Sequence, residues 1–231
     1  MDTSAALPLT REHLDWPFFD KAHADWAAKL DAFAQSPALA DVDYSDTDNA
    51  CRALVKALGK AGLLEAAVSL TGGEGIDSRK LCIARETLAY HDGLADFAFA
   101  MQGLGTGAIS LTASDGLKQA VLPKVASGEW ISAFALSEKL AGSDVAAMSC
   151  AAKADGDHYV LDGEKTWISN GGIADVYTVF ARTGEAPGTR GISAFVVFAT
   201  DPGFSIAERI DVIAPHPLAT LRFDNCRIPA S

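Results

Sequence analysis

Through the first 128 residues apolar positions recur three and four apart: in "FFDKAHADWAAKLDAFAQ" (18–35), "DNACRALVKALGKAGLL" (48–64), "RKLCIARETLAYHDGLADFAFAMQGLGTGAISL" (79–111) and "DGLKQAVLPKVASG" (115–128). That period predicts amphipathic helices packed on one another. Pro37, the glycines Gly72, Gly73 and Gly75, and Pro123 interrupt the runs and are expected to end or connect helices. His91-Asp92 is expected to end a helix rather than to do chemistry.

Beyond residue 130 the punctuation becomes that of hairpins. "SCAAKADGDHYVLDGEKTWI" carries two Asp-Gly pairs, Asp155-Gly156 and Asp162-Gly163, each flanked by β-formers and each read as a hairpin signal. "DVYTVFAR", "GISAFVVFA", "GFSIAERI" and "LATLRFDNCRI" follow as short strands with no helical run between them, so an antiparallel sheet is expected rather than βαβ units. The expected fold class is α+β: an all-helical N-terminal domain over residues 1–128, then a β-barrel or sandwich over residues 129–231.

Charge and composition narrow the partners. Nineteen Lys and Arg stand against 30 Asp and Glu, a formal net charge of -11, and the basic residues are scattered along the chain, so nucleic acid and anionic membranes are poor partners. Cys51, Cys82, Cys150 and Cys226 are far apart, with no C-x-x-C, and read as reduced, mostly core residues rather than metal ligands. No stretch reaches the ~18 apolar residues of a membrane span, and "MDTSAALPLTREHLDWPFF" lacks the pattern of a secretory leader. A cytoplasmic protein is expected. Neither a G-x-G-x-x-G opening a helix nor a P-loop is present.

One short stretch, "EKTWISNGG" (164–172), sets an indole two positions before a hydroxyl and an Asn-Gly-Gly turn. Locally, Trp167 reads as a core tryptophan and Ser169 as a turn residue. In context the stretch belongs to a longer constellation: a "LPK-x-ASGE" helix end, "FALSEKLAGSD" (134–144), "KTWISNGG", then "GISAFVVF" and "LRFDNCRIP". Joined in this order, these segments resemble the acyl-CoA dehydrogenase family of flavoproteins along essentially the whole chain.

The resemblance implies a helical N-terminal domain, a β-barrel middle domain and FAD as cofactor. By position it implies flavin contacts from Phe134, Leu136, Ser137, Gly142, Ser143, Trp167, Ile168 and Ser169. The indole of Trp167 would pack beside the ring, Ser169 would bond toward N5, and Gly142-Ser143 would let the backbone approach the pyrophosphate. Ser143, Thr189 and Arg190 match positions near the acyl-CoA substrate. Glu138 and Asp144 read as structural. Phe97, Phe99 and Met101 fall where an acyl chain would run, although an aromatic and Met stripe is ordinarily core.

Three departures from the family pattern stand out. Lys139-Leu140 replaces Pro-Gly, Ala214 replaces an Arg, with His216 close by, and the family's C-terminal helical bundle, which carries the Glu base, has no counterpart before "CRIPAS". Glu129 and Glu164 match no family base, and no catalytic residue is assigned. The implied activity is FAD-dependent α,β-oxidation of an acyl thioester, with the bundle supplied by a partner chain or a longer protein, exposed apolar surface where it docks, self-association, and an electron-transferring flavoprotein as acceptor. A non-catalytic scaffold and a flavin monooxygenase of the same fold are the alternatives.

Overall fold

The structure, a computed structural model, describes residues 9–71, 75–184, 186 and 188–230. Five longer helices and one short one build the first half: α1 (Lys21–Ala34), α2 (Pro37–Ala40), α3 (Thr47–Lys60), α4 (Ser78–His91), α5 (Gly93–Thr112) and α6 (Asp115–Ala126). Each long helix starts on a side chain that accepts from its first free amides: Asp20, Asp46, Asp77, Asp92 and Ser114. Asp92 both closes α4 and caps α5 through the Ala95 amide at 2.7 Å, so the run over 79–111 is two helices, and His91-Asp92 sits at the break as expected.

The proline expectations need correction. Pro37 opens α2 at its first turn, where a missing N–H costs nothing. Pro123 lies inside α6, which continues to Ala126; the ring forfeits one intrahelical bond on an exposed face of the last turns. Gly72 and Gly73 lie outside the described residues.

The second half is a seven-stranded sheet: β1 (Ser132–Ala135), β2 (Ala151–Asp155), β3 (His158–Ser169), β4 (Val176–Arg182), β5 (Ile192–Phe198), β6 (Phe204–Arg209) and β7 (Leu218–Pro229), in the order β1-β4-β2-β3-β7-β6 with β5 also on β4. Pairs β2–β3, β3–β7, β6–β7 and β4–β5 are antiparallel, as the alternation predicts. Strand β1, arriving from the helices, instead runs parallel to β4, and the sheet is therefore mixed. It curls: Tyr159 of β3 and Phe195 of β5, not neighbours in the sheet, stack with ring centroids 5.0 Å apart.

The two Asp-Gly pairs have different fates. Asp155 pairs with His158 across a tight turn in which Gly156 adopts φ +64°. Asp162-Gly163 makes no hairpin. It lies within β3 at a bulge opposite β7, where Gly163 has φ +137° and a Cβ would come within 2.8 Å of the Cys150 Cα. Asp162 turns its carboxylate onto the Asn225 amide, 2.8 Å away, and so supports the irregular register.

Helices and sheet share one apolar core that includes Leu54, Leu88 and Phe99 with Leu161, Tyr177 and Leu221. Buried polar groups bridge it. Gln102 of α5 accepts from the Ser132 amide at 2.9 Å, and Thr178 donates to the Gly105 carbonyl at 2.6 Å. A Cβ on Gly105 would meet Ser132 Oγ at 2.5 Å, so the glycine permits this close docking of helix on strand.

Candidate flavin and thioester site

The end of β3 inverts the usual order of burial. Lys165 is fully buried, whereas Trp167, two residues on, is 60% exposed. Since alternate residues of a strand face opposite ways, two positions should share a face; the register between β3 and β7 breaks between Lys165 and Ile168, and Trp167 takes φ +59°. An aromatic residue in the left-handed region costs about 1–2 kcal/mol. The indole gains no burial in return, which rules out a core tryptophan.

What holds that geometry lies underneath. Lys165 Nζ donates to Glu138 Oε1 at 2.8 Å and to the Leu136 carbonyl at 3.0 Å. Glu138 also accepts from the Ser149 amide (2.6 Å), the Ser149 hydroxyl (2.8 Å) and the Cys150 amide (2.9 Å), so both its oxygens are satisfied. Burial pushes its carboxyl up, but the Lys165 ammonium and the two amides outweigh this and hold it below the ordinary value. The pair ties the 136–150 loop to β3, and the Thr166 amide adds a bond to the Ser137 carbonyl at 2.9 Å.

After Ser169 the chain is equally constrained. Asn170, fully buried at φ +61°, donates from its amide to Pro217 O (2.8 Å) and from Nδ2 to Ser132 O (2.9 Å). A Cβ on Gly171 would approach that of Ala219 to 2.7 Å. The Asn-Gly-Gly that reads as a flexible turn is a junction between β3, β1 and the β7 approach. Arg209 completes it by donating to Gly171 O at 2.7 Å while pairing with Asp48 of α3.

Of the residues singled out by sequence, Ser137 is tied to the Trp167 stretch by its carbonyl, which accepts from the Thr166 amide, and Ser169 follows Trp167 by two residues. Ser137 is half-buried beside Thr166, and Ser169 half-buried opposite Leu218. Ile168 is buried opposite Ala219, Leu136 offers its carbonyl to Lys165, and Phe134 packs on Phe180 with centroids 5.0 Å apart. Gly142 and Ser143 are exposed, and a Cβ on Gly142 would meet no described atom within 4 Å. Packing among the described residues therefore does not require glycine there.

Thr189 and Arg190 lie exposed on a short turn. Arg182 ties that turn to the Ser143 segment, donating to Gly188 O at 3.3 Å, Met148 O at 3.2 Å and Ala146 O. Sequence reasoning missed Arg182, Asn170 and Lys165; Glu138, read as structural, is so as the partner of Lys165. Arg182, closing the apolar run Val179-Phe180-Ala181, carried a signal in the sequence, whereas Lys165, between Glu164 and Thr166, carried none.

The departures also have places. Lys139-Leu140 forms the tip of a two-residue turn closed by mutual Glu138 and Ala141 backbone bonds, with Leu140 91% exposed. His216 donates from Nδ1 to Ala214 O at 2.8 Å, and its ring lies 4.7 Å from that of Phe97. Together they wall an apolar cavity of about 410 Å³; half-buried Met101 is not among its lining residues, and Phe99, expected beside them, is fully buried in the core instead.

Proton-transfer candidates are few. Glu164 is committed to Arg222 at 2.7 Å and Glu129 faces Lys124 at 3.9 Å. Burial pushes the Cys51 and Cys150 thiols up to about 12 and about 11, so neither is a nucleophile near neutrality. Among the described residues no cluster of His, Cys, Asp or Glu could hold a metal ion, and no helix is long and apolar enough to cross a membrane. The site offers an exposed aromatic, hydroxyls and amides at a rim: groups that bind and orient.

Known proteins match this arrangement. Residues 20–129 match the family model of the acyl-CoA dehydrogenase N-terminal domain, and residues 133–226 that of the middle domain. The Mycobacterium tuberculosis protein named "Probable acyl-CoA dehydrogenase FadE25" is 46% identical over 160 residues, 68% of this chain and 41% of that protein. Mitochondrial isovaleryl-CoA dehydrogenase of Pongo abelii is 35% identical over 202 residues, 85% of this chain and 48% of that one. Glutaryl-CoA dehydrogenase of Mycobacterium smegmatis, solved in complex with FADH2, superposes with a TM-score of 0.77 at 30% identity, over 92% of this chain and 55% of that one. The chain thus spans less than half the length of the two sequence relatives.

Proposed function

The chain belongs to the acyl-CoA dehydrogenase family, and from that premise we propose that it forms the flavin-binding and part of the thioester-binding wall of an FAD-dependent acyl-CoA dehydrogenase. The observation that carries this reading is Trp167: exposed, strained, and flanked on its strand by the buried Lys165–Glu138 pair and the buried Asn170. A flat apolar ring with a polar edge is the ligand such a rim suits.

In this reading the Trp167 indole packs on the ring of FAD. The Ser169 hydroxyl and amide and the Ser137 hydroxyl bond its polar atoms, and Gly142-Ser143 admits the pyrophosphate. Arg190, exposed on its turn, offers a positive charge toward the phosphates of a CoA thioester. Bound FAD supplies the two-electron acceptor for α,β-oxidation. The proton acceptor at the α-carbon is a Glu on a C-terminal helical bundle, in the same polypeptide or on a partner chain, as the family resemblance implies. Oligomerisation through that bundle and reoxidation by an electron-transferring flavoprotein belong to the same proposal.

The test is reconstitution. The chain is combined with a C-terminal bundle carrying the Glu, FAD and a panel of acyl-CoAs, and reduction of an artificial electron acceptor is followed. Turnover requiring both parts, and abolished by changing the bundle Glu to Gln, is the expected result. Flavin binding with no thioester oxidised across the panel would refute the dehydrogenase reading, and no flavin binding at all would leave a scaffold.

A further inference from the structure

Helix α3 carries two parallel stripes. Arg52, Lys56 and Lys60 recur every fourth residue, and Ala53, Ala57 and Ala61 do the same one position along. Both run along one side of the helix, because residues four apart lie above one another. Across from them α1 contributes Lys29, Ala32 and Phe33, and between the two helices lies an open groove of about 710 Å³. Its floor is apolar, three lysines stand on its rim, and none of its lining residues is acidic.

Two of the four cations on this side, Lys56 and Lys60, are uncommitted among the described residues. Lys29 spends one bond on Gly62 O at 3.2 Å and lies near the Trp26 ring, while Arg52 reaches Ile173 O at 3.0 Å. Lys56 and Lys60 form no ion pair within the described residues, in contrast to Lys21, which is paired with Asp25. On a chain with a formal net charge of -11 this groove is a basic exception. An acidic partner is repelled by the chain as a whole and favoured here, which fixes where and how it docks.

We propose that this groove is a docking site for an acidic amphipathic α-helix of a partner protein. Two features favour a helix over a fatty carboxylate. Lys56 and Lys60 are separated by one helical turn, about 6 Å along the axis, the spacing at which a second helix presents carboxylates four residues apart. The groove is also open along its length, which leaves an acyl chain half in water, whereas an alanine floor lets a helix approach closely and bury its small apolar face. The site shares no residue with the Trp167 rim and does not depend on the reading given to it.

The test uses the whole chain and a fluorescein-labelled synthetic helix with Glu at every fourth position beside a Leu and Ala face, followed by anisotropy. Saturable binding is expected, weakened about tenfold by the double variant Lys56→Glu/Lys60→Glu. It should also weaken as NaCl is raised from about 50 to about 500 mM, and be blocked by Ala57→Trp, which fills the floor without altering charge. Both variants change exposed or half-exposed positions, and unchanged thermal melting confirms that they fold. Three results would overturn the proposal: no binding by the native chain, binding indifferent to the charge reversal and to Ala57→Trp, or equal binding of a Gln-for-Glu peptide. Displacement of the peptide by monomeric dodecanoate at comparable concentration would reassign the groove to small amphiphiles and overturn it as well.

Discussion

Lys165 and Trp167 stand two residues apart on one strand and exchange the environments their chemistry would choose. The lysine is fully buried and the tryptophan 60% exposed. Burying a charge is costly unless it is paired and bonded, and an aromatic residue at φ +59° is strained. The comparison separates two jobs: Lys165, Glu138 and Asn170 hold the backbone, and Trp167 is presented by it. Stability and binding should therefore divide cleanly between residues that are almost adjacent.

The largest effect should come from breaking the buried pair. Lys165→Met leaves the Glu138 carboxylate without its cation and is expected to cost about 3–5 kcal/mol in denaturant unfolding. Lys165→Met with Glu138→Gln should recover a substantial part of that. If the double variant is as unstable as the sum of the singles, the two residues are not acting as a pair.

Acid should probe the same pair. Because the folded Glu138 carboxyl is held below its ordinary value of 4.5, it contributes stability that is fully present above that value. The contribution is lost as pH falls below about 4.5 toward the depressed folded value. Chemical denaturation between pH 6 and pH 3 should show this loss in the native chain and a shallower one in Glu138→Gln.

A middle-sized effect is expected at the bulge that sets the register of β3. Gly163→Ala places a Cβ 2.8 Å from the Cys150 Cα at φ +137° and should destabilise by about 1–3 kcal/mol. A neutral outcome would mean that the register is fixed elsewhere. The smallest effect is at Ser110, whose buried hydroxyl has no hydrogen-bond partner among the described residues. Ser110→Ala should be neutral or stabilise by up to about 1 kcal/mol, seen as an unchanged or slightly raised Tm.

Much of the architecture was legible in the chain. Helical periodicity, the helix break at His91-Asp92 and the strands following residue 175 all read directly from residue pattern, because local propensity and burial agree there. The order of motifs from "LPK-x-ASGE" to "KTWISNGG" made the family legible, and the family model matches residues 133–226. What stayed hidden depends on long-range contact. Nothing local distinguishes Asp155-Gly156, which turns, from Asp162-Gly163, which bulges against Cys150 and Asn225. Likewise, Lys165 looks like a surface residue until Glu138, 27 positions earlier, is folded onto it, and Asn170 looks like a turn until Ser132 and Pro217 close around it.

The division between holding and presenting is tested most directly at Trp167. FAD is titrated into the native chain and into Trp167→Gly, with and without an added C-terminal bundle, and flavin absorbance and thermal unfolding are read together. The account predicts stoichiometric binding by the native chain in the presence of the bundle and affinity at least about tenfold weaker in the variant. It also predicts that the variant is no less stable, since glycine relieves the left-handed backbone by up to about 1 kcal/mol. Equal flavin affinity in both chains, or a variant that unfolds as readily as Lys165→Met, would contradict it.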